Sequence, residues 1–335
     1  MIILAREARG ISQYELANAI GMSATNLSKV ERGDVMLGDE YLEPMAEAVH
    51  FPPQFFYRPG EILPVHLGYR RRMNVPIKLL NVIHAQINVV RLHVEMLTPL
   101  VLPKYHLRLP RHEVTDKLSP AKIAEWLRRE WEVEKPIIPN VVKVLEDKGI
   151  VTIPLNLGTE RVDSMHIVTK DNIPVIIYNK ALTGDRQRFT LAYELGHLVM
   201  HSGNVSVDTD LSHEANAFAA AFLMPAKEIA ADLQGAVTIP LLAAVKRKWK
   251  QSMISILHRA DDLEMITFNQ KRYLLQQFNQ LRIRRREPEE LDVPQEESKL
   301  MKRWIADYRS KTKLGTADMA AAFSLHTDEF LELYA

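Results

Sequence analysis

The sequence predicts an α+β fold: an all-helical N-terminal unit, a mixed unit with a small sheet and several helices, and a helical C-terminal segment. Three observations carry that reading. Residues 1–58 show short helical patterns broken by Gly10, Gly21, Gly33 and Gly38 and stopped at Phe51-Pro52-Pro53, since proline cannot continue a helix. Short β-rich runs at 150–154, 165–169 and 174–178 follow helical patterns at 123–131 and 138–148, and two further helices fit 185–201 and 212–224. The last forty residues read as one or two amphipathic helices without a chemical signature.

Composition narrows the classes. A chain of 335 residues exceeds one average domain, and its 47% hydrophobic content can supply real cores. Forty-three basic residues nearly cancel forty-two acidic ones, so affinity for nucleic acid has to come from a local basic face. The absence of cysteine excludes disulfides, thiolate zinc fingers and a cysteine nucleophile, and leaves His, Asp, Glu or Tyr for any metal. No run of roughly 18 apolar residues is present, and residues 1–10 carry charges where a signal peptide needs its apolar segment, so a cytoplasmic protein with no membrane partner is expected.

Turn residues and charge clusters divide the chain at 1–58, 59–117, 118–270 and 271–335. The connector 59–117 holds Arg70-Arg71-Arg72 and a helical pattern over 77–96, with apolar Leu80, Ile83, Ile87 and Val90 and then Leu97, which reads as a spacer or dimer helix. A basic helix is expected around Lys246-Arg247-Lys248-Trp249-Lys250. After Arg284-Arg285-Arg286, the acidic stretch 287–298 with Pro288 and Pro294 reads as a linker.

Within the first unit, Ser12 is placed to cap a helix over 13–20 with Glu15 three positions on, as in a capping box. Gly21 supplies a tight turn, and Ser23 caps a second helix over 24–31 that buries Leu27 and Val30 while exposing Thr25, Asn26, Ser28 and Lys29. Short polar side chains at the start of a second helix suit base edges and phosphates. The runs Ala5-Arg6-Glu7-Ala8-Arg9-Gly10-Ile11-Ser12-Gln13, Glu15-Leu16-Ala17 and Ser28-Lys29-Val30-Glu31-Arg32-Gly33 resemble the XRE family of helix-turn-helix domains. That resemblance implies DNA as a partner, with Gln13, Thr25, Asn26 and Lys29 as contacts. Arg6 and Arg32 fit a structural role better. Capping and solvation are the plain alternative for these residues, and such units also serve as dimerisation or docking modules. Reading two half-sites would need a homodimer.

The segment Tyr193-Glu194-Leu195-Gly196-His197 places 193 and 197 one helical turn apart on one face, with 194 beside them. In H-E-x-x-H that arrangement lets two histidines hold zinc while the glutamate acts on water; here the first histidine is Tyr193. The next helix brings Glu214 as a further carboxylate. Arg188-Phe189-Thr190-Leu191-Ala192, Glu194-Leu195-Gly196-His197, Glu214-Ala215-Asn216-Ala217-Phe218-Ala219 and Leu223-Met224-Pro225 resemble the ImmA/IrrE family of metallopeptidases. The resemblance implies a zincin-like domain over 118–270 with a zinc cofactor. Glu194 would be its general acid/base, His197 and Glu214 metal ligands, and Tyr193 would stand in the remaining ligand's place. It also implies a protein partner or substrate, since some members cleave a repressor of phage, mobile-element or stress-response genes, and a substrate strand pairing with an edge strand at 175–178.

A phenol with pKa about 10 must be deprotonated before it binds zinc, so affinity should fall. His201, His213 and His166 can each approach the site, or can simply satisfy helix ends and the core. Arg186 and Arg188 can bind substrate, but near a helix N-terminus they need carboxylate partners and fit structure better. Three readings follow: an active hydrolase, a regulator whose degenerate peptidase fold senses a ligand or grips a partner, and an enzyme silenced by one His-to-Tyr change.

Overall fold

The computed structural model describes residues 1–65, 75–101, 109–201 and 210–334, so Arg70-Arg71-Arg72 lies outside the described residues. The N-terminal unit comprises α1 (Ile2–Ala8), α2 (Gln13–Ala19), α3 (Ala24–Arg32) and α4 (Leu42–Ala48). Ser12 Oγ accepts the Glu15 amide at 3.2 Å and Glu15 Oε2 accepts the Ser12 amide at 2.6 Å, which completes the capping box. Ser23 Oγ accepts the Asn26 amide at 3.2 Å and starts α3. Gly33 ends that helix at φ 78°, where a Cβ would be strained. Leu4, Leu16, Leu27, Met45 and Phe55 fill the core. Val30, expected inside, is half-buried, because three residues past Leu27 it lies roughly 60° off the buried stripe.

Helix α5 (Ile77–Val101) runs 25 residues, with α1 packed along it. Leu80, Ile83, Ile87, Val90 and Leu97 are buried in the chain's own core, which corrects the expectation of a free spacer or dimer helix. The reason lies in its other faces: Ala85, Val89, Leu92 and Val94 are buried too, and a helix apolar on several faces belongs inside. Within it, buried Arg91 pairs with Glu95 at 2.6 Å across a single turn.

The mixed unit follows as α6 (Pro120–Glu130), α7 (Val141–Asp147), β1 (Val151–Leu155), β2 (Ser164–Val168), β3 (Pro174–Asn179), α8 (Gly184–Met200) and α9 (Leu211–Leu223). It continues with α10 (Ala226–Asp232), α11 (Ile239–Trp249), α12 (Met253–Asp262) and α13 (Phe268–Gln280). The strand order is β1-β3-β2, with β1 parallel and β2 antiparallel to β3. Residues 175–178 therefore lie in the central strand, not at an edge, and β2 is the outer strand beside α8. The near-continuous apolar run Val175-Ile176-Ile177-Tyr178 suits a strand covered on both faces. Val175 and Ile177 enter the core that includes α5, while Ile176 and Tyr178 enter the core around α8.

Lys246 and Trp249 of the expected basic helix are buried in α11, and only Arg247 and Lys248 face solvent. Residues 287–298 are likewise not a free linker: they form a strap across the start of α8. The Gly184 amide donates to Val293 O at 3.2 Å, and Gln187 exchanges hydrogen bonds with the Glu296 backbone at 2.8 and 2.7 Å. Glu296 Oε2 accepts the Val141 and Val142 amides at 2.6 and 2.9 Å, a carboxylate placed on the N-terminus of α7. A Cβ at Gly184 would collide with the Val293 and Pro294 carbonyls, so the strap needs glycine there.

The strap leads into α14 (Leu300–Thr312), α15 (Thr316–Phe323) and α16 (Thr327–Tyr334). These helices close back on the N-terminal unit. Arg9 pairs with Glu329 at 2.6 Å, Arg58 donates to Phe323 O at 3.1 Å, and the His50 and His326 rings stack with centroids 4.4 Å apart. Among the described residues no helix is long and apolar enough to cross a membrane.

Candidate functional site

Helices α8 and α9 cross closely, and Gly196 permits the approach: a Cβ there would lie 3.0 Å from Phe218 Cδ1. Opposite them stands β2, whose Ser164 and His166 point to the same side because strand side chains alternate. Strand β2 meets α8 at Glu194, which is wholly buried. Ser164 Oγ donates to Glu194 Oε1 at 2.5 Å, and His166 Nδ1 lies 2.6 Å from Glu194 Oε2. Ser164 was not singled out in the sequence; the pattern Ser-x-His on a strand was the available signal.

One turn along α8, His197 Nδ1 meets His201 Nδ1 at 2.7 Å, and His201 Nε2 lies 2.8 Å from Glu214 Oε2. Burial lowers the His201 imidazole below its ordinary pKa, against the pull of Glu214. A neutral ring that donates Nε2–H to Glu214 must accept at Nδ1, so His197 donates there; these tautomers follow from the hydrogen-bond pattern. Tyr193, 1% exposed, bonds Ser212 Oγ through its hydroxyl at 3.1 Å and meets the His197 ring edge-on at 4.7 Å. His166 lies over His197 with ring centroids 6.0 Å apart. His213 is exposed and stands apart from the cluster.

Tyr193, Glu194, His197 and Glu214 are thus gathered, together with His166, His201 and Ser164. Among the described residues no group of three His, Asp or Glu side chains is placed to hold a metal ion. The physical reason is His201, which inserts between His197 and Glu214 and engages both. The position one turn before His197 offers a phenol held by Ser212 in place of an imidazole. The described residues do not fit a zinc ion in this arrangement.

The arginines of α8 are structural, as their position implies. Arg186 grips Asp163 with Nη2 to Oδ1 at 2.6 Å and Nε to Oδ2 at 3.0 Å, and buried Arg188 pairs with Glu296 and donates to Ile138 O at 2.7 Å.

The second site is the exposed face of α3. Thr25, Asn26 and Lys29 are exposed together on its outer side. Gln13 is not free beside them: its Nε2 donates to Glu31 Oε2 at 2.7 Å, and Arg6 Nε donates to Glu31 Oε1 at 2.7 Å. Arg32 turns back to Asp34 at 2.9 Å and Ser28 at 3.1 Å, consistent with a structural role.

A family model described as helix-turn-helix matches residues 2–56. Another, described as the IrrE N-terminal-like domain of the M78 peptidases, matches residues 145–261. No curated protein was found to match the chain. The chain carries a helix-turn-helix domain of the XRE type, which implies DNA binding, fused to an ImmA/IrrE-like peptidase domain of a typically zinc-dependent family.

Proposed function

We propose that the chain is a DNA-binding transcriptional regulator whose peptidase-fold domain works as a ligand- or partner-binding module and does not hydrolyse peptides. Thr25, Asn26 and Lys29 on α3 read and hold the duplex, with Gln13 steadying that face through Glu31. The observation that carries the non-hydrolytic half is the wedge of His201 between His197 and Glu214. With Nδ1 of His197, both ring nitrogens of His201 and Oε2 of Glu214 tied to one another, turning those atoms toward a metal would leave buried polar groups unmatched. The closed network around Glu194 gives the domain a fixed polar core, from which the strap at 287–298 and the last three helices reach the N-terminal unit.

A second reading is favoured by the convergence of Glu194, His197 and Glu214 themselves: zinc-dependent cleavage of a protein repressor of phage, mobile-element or stress-response genes. One experiment separates the two. Elemental analysis and zinc titration calorimetry on the full chain, beside Tyr193→His and Glu214→Ala, should show no stoichiometric zinc in the unmodified protein and zinc uptake in Tyr193→His. Stoichiometric zinc in the unmodified chain, lost in Glu214→Ala, would overturn the non-hydrolytic reading.

A further inference from the structure

A cavity of about 370 Å³ opens between the start of α8, the start of α12, Lys246 of α11 and the turn Arg284-Arg285-Arg286. That volume is within the range of small-molecule sites, roughly 300–1,000 Å³. Its walls carry five cationic side chains against three carboxylates. The carboxylates are already claimed from within the fold. Asp163 is gripped by Arg186, and Lys246 Nζ donates to Asp185 at 2.5 Å and to Glu287 at 2.7 Å. Arg286 is held by Asp292.

What is left over is donor capacity. Arg284 makes a single bond at 3.3 Å to the neutral Asn279 side chain, and Arg285 makes no hydrogen bond or ion pair among the described residues. At the start of the ten-residue α12 the Ser252 and Ser255 hydroxyls bond each other at 2.8 Å and Ser252 Oγ also accepts the Ser255 amide at 3.1 Å, which leaves one hydroxyl proton to donate, and Phe189 and Ile254 supply an apolar wall. The turn bearing the arginines is fixed: Arg282 adopts φ 58°, the Ile283 amide donates to Phe278 O at 3.0 Å, and Arg286 is anchored.

Exposed arginines usually mean no more than a solvated surface. Here two adjacent guanidinium groups border a walled cavity whose acceptors are consumed, and the planar guanidinium fork matches phosphate oxygens. The geometry points to a binding site for a small phosphorylated anion, held by Arg284 and Arg285 with the one hydroxyl proton that the Ser252–Ser255 pair has to donate. The site is separate from the Glu194 cluster and independent of whether that cluster takes a metal. It is nonetheless adjacent: Asp163 precedes Ser164, which bonds Glu194, and Arg284–Glu287 leads directly into the strap.

Titration calorimetry of the full chain with sodium pyrophosphate, at matched ionic strength against sodium chloride, tests the assignment. Saturable 1:1 binding is expected, weakened at least tenfold in the double variant Arg284→Ala/Arg285→Ala, whose thermal melting should match the parent because both side chains are exposed. No saturable binding, or equal binding by the double variant, would overturn it. A double variant that loses affinity for duplex DNA while keeping its response to pyrophosphate would also overturn it, by assigning the arginines to the nucleic acid.

Discussion

His197 and His201 meet Nδ1 to Nδ1 at 2.7 Å across one turn of α8, and the far nitrogen of His201 reaches Glu214. A single imidazole thus spans two groups that a peptidase of this family would turn toward a metal. Restoring histidine at 193 supplies a donor but leaves that wedge in place. The double variant Tyr193→His/His201→Ala should therefore bind zinc at least tenfold more tightly than Tyr193→His, about 1.4 kcal/mol. Titration calorimetry checks it, and equal affinities would show that His201 does not obstruct the site.

On the α3 face, Lys29 is exposed and Gln13 is tied to Glu31. A phosphate contact releases counterions, so Lys29→Ala should weaken binding to any duplex and lower the log–log salt slope by about 0.9. Gln13→Ala removes no charge and should leave the slope unchanged. Fluorescence anisotropy at several salt concentrations measures both; an unaltered slope for Lys29→Ala would remove Lys29 from the interface.

Much of this was legible in the sequence, and what was not shares one cause. The Ser12–Glu15 box, the Ser23 cap and the shared face of Tyr193, Glu194 and His197 follow from spacings of a few residues, whereas Glu214, on the next helix, was placed with them by the family resemblance. Whether Val175–Tyr178 formed an edge or the centre of the sheet depended on strand order, which local alternation does not encode. The strap was hidden for the same reason. An acidic, proline-bearing stretch looks like a linker until Arg188, more than a hundred residues upstream, claims Glu296. His201 was visible as a neighbour of the site, but only the packing of α9 against α8 shows that it joins His197 to Glu214.

His93 lies fully buried on α5, its Nδ1 2.7 Å from the Tyr334 hydroxyl. Burial, aided by the Arg58 charge, pushes its pKa down to about 3, while burial pushes the Tyr334 phenol up. An unfolded histidine titrates near about 6.5. Between those values the unfolded chain binds one more proton than the folded one, so stability falls as pH drops from about 6.5 toward 3. The loss approaches on the order of 4 kcal/mol. His93→Gln, which keeps a hydrogen-bonding partner for Tyr334, should flatten the stability–pH curve by one proton equivalent. Urea unfolding from pH 4 to 7 decides it, and parallel curves for parent and variant would count against a neutral buried His93.

Glu296 joins the strap to the start of α8 and α7 at once, pairing with Arg188 and accepting the Val141 and Val142 amides. Arg188 is 1% exposed, and burial already lowers its pKa against the pull of Glu296. Glu296→Ala would leave that guanidinium buried without its counter-charge and two helix-terminal amides without an acceptor. Removing one partner of a buried ion pair costs about 3–5 kcal/mol. The double variant Arg188→Met/Glu296→Leu removes both charges and should recover part of that loss, because the penalty comes chiefly from the uncompensated charge. Denaturant unfolding of the four proteins gives the cycle. A loss under about 1 kcal/mol for Glu296→Ala, in the range of an exposed pair, would show that the strap is held by its backbone contacts alone.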